Sequence, residues 1–182
     1  DRGMSPLGLD GLVKRVIGGH WGQSPRLAEM ASENKIEAYN FPQGIMAQLA
    51  RTAAAGQPGI LSHVGLGTFI DPRVSGGKLN EVSQEDLIRV MNVDGKEWLY
   101  YPVVPLDVCL IRATTADTEG YASMEEEITY IDVLQLAQAV HNNGGTVILQ
   151  VKRLVKAGTL HPKSVKIPGF LVDAIVVEEK QE

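Results

Sequence analysis

Four stretches of the chain carry apolar residues at the spacing of an amphipathic helix. They cover residues 7–13, 25–33, 43–55 and 128–141. Ser24 and Pro25 open the second stretch and Gly56 follows the third, and these residue types are typical of helix starts and ends. In the third stretch Ile45 and Leu49 lie four residues apart and therefore share one face. The pattern predicts four helices, of which 43–55 and 128–141 are the most regular.

Short apolar runs, several rich in β-branched or aromatic residues, alternate with these helices. They cover residues 14–19, 36–40, 59–63, 97–104, 106–113, 146–154 and 172–177. The run 146–154 is the longest and is expected to lie centrally, whereas 97–104 is expected to form an antiparallel or edge strand. Because strands and helices alternate through short turns, we predict an α/β fold with an open, mostly parallel sheet flanked by helices.

Residues 71–96 interrupt this alternation. They are mostly polar and contain the pair Gly76 and Gly77. Such a stretch predicts an insertion or flap, in which the spacing favours one short helix at 84–91. A second polar stretch, 114–120, is predicted to be a loop.

Composition and charge exclude several classes of protein. The chain has 182 residues, 44% of them hydrophobic, as expected for a globular domain or part of one, and a net charge of -5. Its 17 Lys and Arg residues form no basic stripe, which argues against a nucleic-acid partner. No apolar run has the length of a membrane span and no signal peptide is recognisable, so we expect no membrane partner and a cytoplasmic location. The single cysteine, Cys109, is expected to be a buried, reduced thiol.

The titratable residues give no sign of a metal site. The 4 histidines are scattered without companion cysteines, so we expect no metal. The acidic run Glu125, Glu126 and Glu127 is expected to be the solvated first turn of a helix. General acid or base chemistry by one of these three carboxylates stays open.

Several glycine-containing turns are candidates for a ligand site. They cover residues 18–23, 41–44, 64–68 and 112–115, which would share one edge of a parallel sheet. Glycines let the backbone approach a ligand and offer unshielded N–H groups, and the helix starting at Gln43 directs its free N–H groups to the same place, which would suit a carboxylate or an oxyanion. The alternative, that the glycines only make tight turns, stays open. Gly65 and Gly67 lack the third glycine and the following helix of a dinucleotide fingerprint, so no nicotinamide cofactor is expected.

At these turns the sequence resembles the family I CoA-transferases of the 3-oxoacid CoA-transferase superfamily. The motifs that carry the resemblance are Tyr-Asn-Phe-Pro-Gln-Gly at 39–44, Gly-Leu-Gly-Thr-Phe at 65–69, Gly-Gly-Lys-Leu-Asn at 76–80, and the runs 112–121, 139–145 and 161–169. They cover nearly the whole chain. The likeness is greatest to the bacterial acetate or propionate CoA-transferases, the branch in which both halves lie on one polypeptide. The resemblance implies a three-layer α/β fold.

The resemblance also implies a mechanism. Family members move CoA between an acyl-CoA and a free carboxylate through a glutamate that becomes a glutamyl-CoA thioester. That glutamate belongs to the second half of the protein, and neither it nor the glycine-rich oxyanion turn of the first half is among these residues. We interpret Glu33 as a surface residue and name no catalytic residue in this segment, which is predicted to be inactive alone. CoA enters as the acyl-CoA substrate, and no cofactor or metal is implied.

Substrate placement is what these residues are expected to contribute. By the resemblance, Gln43 matches a glutamine that reaches toward the substrate carboxylate. A glutamine suits this role because its amide can hold an anion without a fixed counter-charge. Its alternative role, an ordinary residue opening a helix, stays open. The candidate substrate-binding residues, with the last three as the weaker ones, are Gln43, Gly44, Gly65, Gly67, Gly19, His20 and Trp21.

By position, residues 1–182 resemble the later two thirds of the first, α-subunit-like half of a longer enzyme. The implied partners are acyl-CoA, small carboxylates such as acetate or propionate, and a second, β-subunit-like half, with a homo-oligomer expected. Such enzymes act in short-chain fatty acid and ketone body metabolism. Two alternatives stay open: a non-catalytic effector-binding domain with the same fold, and an acyl-CoA hydrolase, since water can resolve the same thioester.

Overall fold

The computed structural model describes residues 4–181, which divide into two compact units. Unit 1 takes in the described residues of Asp1–Leu49 together with Gly59–Pro102, and unit 2 takes in Ala50–Pro58 with the described residues of Val103–Glu182. None of the helices within residues 4–181 is long and apolar enough to cross a membrane.

Unit 1 holds two small sheets and two helices. Its elements, in chain order, are β1 (Arg15–Gly18), α1 (Pro25–Ser32), β2 (Glu37–Asn40), α2 (Gln43–Ala54, which counts with unit 2 from Ala50), β3 (Gly59–Ser62), β4 (Arg89–Val93) and β5 (Lys96–Pro102). Strands β1 and β2 are parallel, whereas β3 and β4 both pair antiparallel with β5, which lies between them. A single 3₁₀ turn, Ser5–Leu7, precedes β1.

Unit 2 is built on one larger sheet. Its elements are β6 (Val108–Asp117), β7 (Ala122–Ser123), α3 (Val133–Asn142), β8 (Thr146–Val155), β9 (Val165–Ile167) and β10 (Ala174–Val177), with 3₁₀ turns at Pro162–Ser164 and Gly169–Leu171. The strand order is β10-β8-β6-β7-β9. The first three strands are parallel, and β7 runs antiparallel to both of its neighbours.

The two units have different cores. In unit 2, small and branched side chains from β6, β8 and α3 pack together, among them the fully buried Ala137, Val147 and Leu149. In unit 1, the main core contains three aromatic rings among branched aliphatic side chains, and Phe41 and Tyr101 meet edge to face with centroids 5.7 Å apart. Unit 1 therefore buries hydroxyl-bearing rings that need hydrogen-bond partners.

Two of the predicted helices are wrong. At residues 7–13 only the 3₁₀ turn Ser5–Leu7 forms, because Gly11 adopts a left-handed φ of +81° that an α-helix excludes. Residues 84–91 are not helical either, since Arg89–Val93 is strand β4, paired with β5. Asp94 and Gly95, both with positive φ, form the two-residue turn that joins the two strands. Apart from β4, the predicted insertion 71–96 has no regular element before Lys96.

Other boundaries differ in detail. The helix predicted at 128–141 begins only at Val133, because Asp132 has a left-handed φ of +64°. The loop predicted at 114–120 is wrong as far as Asp117, because β6 continues to that residue and pairs with β7 and β8. The strand at 97–104 is antiparallel as predicted, and it lies in the middle of its sheet.

Candidate functional site

Two of the predicted turns leave the same edge of a parallel sheet. Gly18 and Asn40 are the last paired residues of β1 and β2, so the chains that follow them start side by side. The Phe41 N–H donates to the Gly18 carbonyl at 3.1 Å and ties the two exits together. For residues 18–23 and 41–44 the predicted shared edge is therefore confirmed.

At this edge Gly19 lies directly against Gln43. A Cβ atom on Gly19 would come within 2.9 Å of the Gln43 Cβ and 3.1 Å of its Cα, so only glycine fits without a shift. The N–H groups of Ile45 and Met46 both donate to the Pro42 carbonyl, which makes Gln43 and Gly44 the first residues of α2. Both are exposed. The Gln43 amide therefore stands in solvent at the positive end of a 12-residue helix, where anions are stabilised.

His20 and Trp21 line a cavity that Gln43 does not reach. The cavity has a volume of about 400 Å³, and its walls include Arg15, Val16 and Leu27. His20 is exposed, whereas Trp21 is half-buried and packs against the smaller core formed by α1 and β2. Neither Gly19 nor Gln43 is among the residues that line this cavity.

The third turn, residues 64–68, depends on two left-handed glycines. Gly65 has φ +98° and Gly67 has φ +71°, values that side-chain-bearing residues rarely adopt. The Thr68 hydroxyl donates to the Gly65 carbonyl at 2.7 Å. The Gly67 N–H donates to Asp71 Oδ2 at 2.9 Å. The expectation of a free N–H group is therefore wrong for Gly67, although the turn can still line a cleft.

This turn does not leave the β1–β2 edge, because β3 pairs antiparallel with β5 instead. The buried Ile70 side chain links this turn to the β1–β2 edge. It lies 2.8 Å from where a Cβ of Gly65 would stand, and its Cδ1 lies 3.7 Å from where a Cβ of Gly77 would stand. The Gly77 carbonyl in turn accepts the Asn40 N–H at 2.7 Å. The Gly65 turn is thus connected through one side chain to the segment that leads into Gln43.

The support beneath this turn includes residues that the sequence patterns did not single out. Asp71 is 1% exposed and accepts hydrogen bonds from the Arg73 guanidinium at 2.9 and 2.7 Å. Arg73 also contacts both carboxylate oxygens of Glu97 on β5, at 3.0 and 2.9 Å. The Arg73 guanidinium, together with the Gly67 N–H, holds the pKa of the Asp71 carboxyl well below its usual range.

Tyr101 supports the same turn from the core of unit 1. Its hydroxyl donates to the Val64 carbonyl at 2.6 Å. Burial, with a further contribution from the charge of Asp71, raises the pKa of Tyr101 to about 12, so the hydroxyl keeps its proton at neutral pH. A tyrosine in an apolar strand has the pattern of an ordinary core residue, which hides this role in the sequence.

The fourth predicted turn, residues 112–115, does not belong to the site. It lies inside strand β6 of unit 2, where Thr114 and Thr115 are buried. The Thr115 hydroxyl donates to Glu125 at 2.5 Å. The prediction that this turn lies at the shared edge is wrong, because β6 continues four residues past the predicted strand end, from Ala113 to Asp117.

The acidic run 125–127 is not the first turn of a helix, since α3 begins at Val133. Its carboxylates are paired instead. Glu126 lies 2.9 Å from the Lys152 ammonium and also contacts Arg153, and these two hydrogen bonds lower the pKa of Glu126. Glu127 pairs with Arg112 at 3.0 Å. Nothing in this arrangement favours acid or base chemistry over surface ion pairing.

Comparison with known proteins gives one family across nearly the whole chain. The model of the coenzyme A transferase family matches residues 1–178. The acetate CoA-transferase YdiF of Escherichia coli strain K12 is 60% identical over 181 residues, which is 100% of this chain and 34% of that protein. The acetate CoA-transferase subunit alpha of the same strain is 27% identical over 183 residues, covering 100% of this chain and 74% of that protein.

Among solved structures, the acyl-CoA transferase YdiF from E. coli O157:H7, in a thioester complex with CoA, superposes with a TM-score of 0.96. It is 59% identical and is matched over 100% of this chain and 36% of its own. The predicted α/β fold of the CoA-transferase type is thereby confirmed. The chain spans about a third of the length of these longer relatives, 34% and 36% respectively.

Proposed function

The chain belongs to the coenzyme A transferase family, and on that premise we propose that the full protein transfers CoA between an acyl-CoA and a free short-chain carboxylate such as acetate or propionate. The observation that carries the proposal is the 60% identity over the whole chain to a relative named acetate CoA-transferase. Such a reaction belongs to the metabolism of short-chain fatty acids and ketone bodies.

We assign the covalent step to a glutamate outside residues 1–182. Its carboxylate takes CoA from the acyl-CoA to form a glutamyl-CoA thioester, and the acyl group leaves as a free carboxylate. The incoming acid then takes the CoA over as a new acyl-CoA and restores the glutamate. This segment supplies substrate placement and no nucleophile, so we expect it to have no turnover alone. CoA takes part as a substrate, and the absence of a metal or nicotinamide from the reaction stays a prediction.

Gln43 and Gly44 are the residues to which we assign the free carboxylate. The Gln43 amide is exposed at the positive end of α2, and it can donate a hydrogen bond without forming an ion pair that would hold the anion too tightly for release. Gly19 supports this placement because its missing side chain leaves room for Gln43. Gly65 and Gly67 would line the same cleft, with His20 and Trp21 as weaker contributors.

A second, β-subunit-like half is part of the proposal. It is supported by the match to a relative named as a subunit alpha and by the match to only 34% of the longer relative. We further propose that the protein forms a homo-oligomer and works in the cytoplasm. The cytoplasmic location agrees with a single buried cysteine, Cys109, which needs no oxidising compartment.

The test uses the full-length protein with acetyl-CoA and propionate. We expect propionyl-CoA to form, and we expect the protein incubated with acetyl-CoA alone to gain the mass of CoA less one water on one glutamate outside this segment. Release of free CoA without exchange would indicate a hydrolase instead. If neither the adduct nor the exchange is detected, the proposal is contradicted and the non-catalytic, effector-binding alternative is favoured.

A further inference from the structure

We infer that Tyr101 and Asp71 are positioning residues that fix the backbone of the 64–68 turn in the shape that lines the substrate cleft. This inference rests on the proposed function for the role of the turn, and on the described contacts for the role of the two residues. Neither side chain belongs to the candidate set that the sequence provides.

The turn needs support because its own side chains bury little. Val64, Gly67, Thr68 and Phe69 are all exposed, and Leu66 is the one side chain of the turn that packs in part against the core of unit 1. The two left-handed glycines add conformational freedom that the folded state must restrict. The turn has hydrogen bonds of its own, such as that from the Thr68 N–H to the Gly65 carbonyl at 3.1 Å, and hydrogen bonds from outside the turn add the constraints that select one backbone conformation.

Tyr101 fixes the start of the turn. Its hydroxyl donates to the Val64 carbonyl at 2.6 Å, and it lies 2.7 Å from where a Cβ of Gly65 would stand. The ring is fully buried in the core of unit 1, so the position of the hydroxyl is set by packing. The hydroxyl therefore holds Val64 from a rigid base.

Asp71 fixes the end of the turn. Its Oδ2 accepts the Gly67 N–H at 2.9 Å, while its Oδ1 accepts the Arg73 N–H at 3.0 Å. The Asp71 carbonyl also accepts the N–H groups of Val74 and Gly76, at 2.8 and 3.0 Å. Arg73 balances the buried carboxylate and joins it to Glu97 on β5. The second glycine of the turn is thus tied to a strand of the sheet.

A pair of tyrosine variants of the full-length protein tests the inference. Tyr101→Phe removes the hydroxyl that holds Val64, and the matched control Tyr39→Phe removes a hydroxyl that donates to the Glu85 carbonyl at 3.1 Å. Both rings are fully buried in the same core, so both variants should lose similar thermal stability. We expect amide hydrogen exchange of residues 62–70 to become about tenfold faster in Tyr101→Phe alone.

A second pair tests Asp71 independently. Asp71→Asn places an amide where only acceptors fit, and its control Asp86→Asn makes the same change in an exposed ion pair with Lys78 that does not contact the turn. We expect Asp71→Asn to speed exchange at residues 62–70 about tenfold and to raise the KM for the free acid about three- to tenfold, with little change in Asp86→Asn.

The outcomes separate this inference from the proposed function. The positioning role would be overturned if amide exchange at residues 62–70 stayed at the wild-type rate in both test variants. It would also be overturned if a test variant and its control showed equally fast exchange throughout unit 1. Absence of CoA transfer in the wild-type protein would overturn the proposed function. The exchange comparison would still decide whether Tyr101 and Asp71 hold the turn.

Discussion

The two units of the chain are stabilised by different means. In unit 2, strands β6 and β8 are each ten residues long and bury apolar side chains against α3. In unit 1, no strand exceeds seven residues, and the main core contains two tyrosine hydroxyls that donate to backbone carbonyls. A buried carboxylate bonded to backbone N–H groups occurs in both units, Asp71 in unit 1 and Asp117 in unit 2. All seven candidate site residues lie in unit 1. The difference indicates that the candidate site is built on the unit with the shorter strands and with tyrosine hydroxyls in its core.

Truncating a core side chain in each unit should have the largest effect on the free energy of unfolding and should test this contrast. Leu149→Ala in unit 2 and Ile70→Ala in unit 1 both empty well-packed sites, and each should lower the free energy of unfolding by about 2–5 kcal/mol. Only Ile70 lies beneath Gly65, so only Ile70→Ala should also raise the KM for the free acid. Urea denaturation and steady-state kinetics measure the two quantities. Equal KM effects would break the contrast.

Acid should act on unit 1 through Asp71. Its pKa is lowered in the folded protein, so the ionised form stabilises the fold above the unfolded pKa of about 4 and this contribution is lost as the pH falls further. The loss should be about 1.5–3 kcal/mol, the range for hydrogen bonds to a charged group. Unfolding measured between neutral pH and pH ~3 should show a weaker pH dependence in Asp71→Asn than in the wild type. Parallel curves would contradict this role of Asp71.

A matched glycine pair should give the smallest effect. Gly67 in unit 1 and Gly144 in unit 2 have similar left-handed φ values, +71° and +73°, and open space where a Cβ would stand. Replacing either by alanine should destabilise the protein by about 1 kcal/mol through backbone strain alone. Gly67→Ala should in addition change the KM for the free acid. If Gly144→Ala changed that KM equally, the assignment of the 64–68 turn to the cleft would fail.

What the sequence could predict depends on how local each signal is. Helix α2 was predicted within one residue because its apolar spacing, its opening after Pro42 and its end near Gly56 are all encoded nearby. The direction in which β3 pairs is not encoded in its own residues, and its antiparallel partner β5 lies about forty residues later. Strand β4 was missed because Leu87, Ile88 and Met91 also fit helical spacing.

The candidate site shows the same limit. Gln43 was named from the family resemblance and not from its pattern, and the structure then provided its exposure and its contact with Gly19. Asp71 was hidden because polar residues beside glycines are typical of a loop, and nothing local shows that this carboxylate is buried against Arg73. Long-range contacts of polar residues are thus the part of this molecule that sequence patterns do not reveal.

The most direct test of the account is the kinetic effect of Gln43→Ala in the full-length protein. The control is Gln135→Ala, which makes the same change in the first turn of α3 in unit 2. We predict that Gln43→Ala raises the KM for the free acid more than the KM for the acyl-CoA, whereas Gln135→Ala changes neither. Equal increases of both KM values in Gln43→Ala, or the same selectivity in Gln135→Ala, would contradict the claim that Gln43 places the substrate carboxylate.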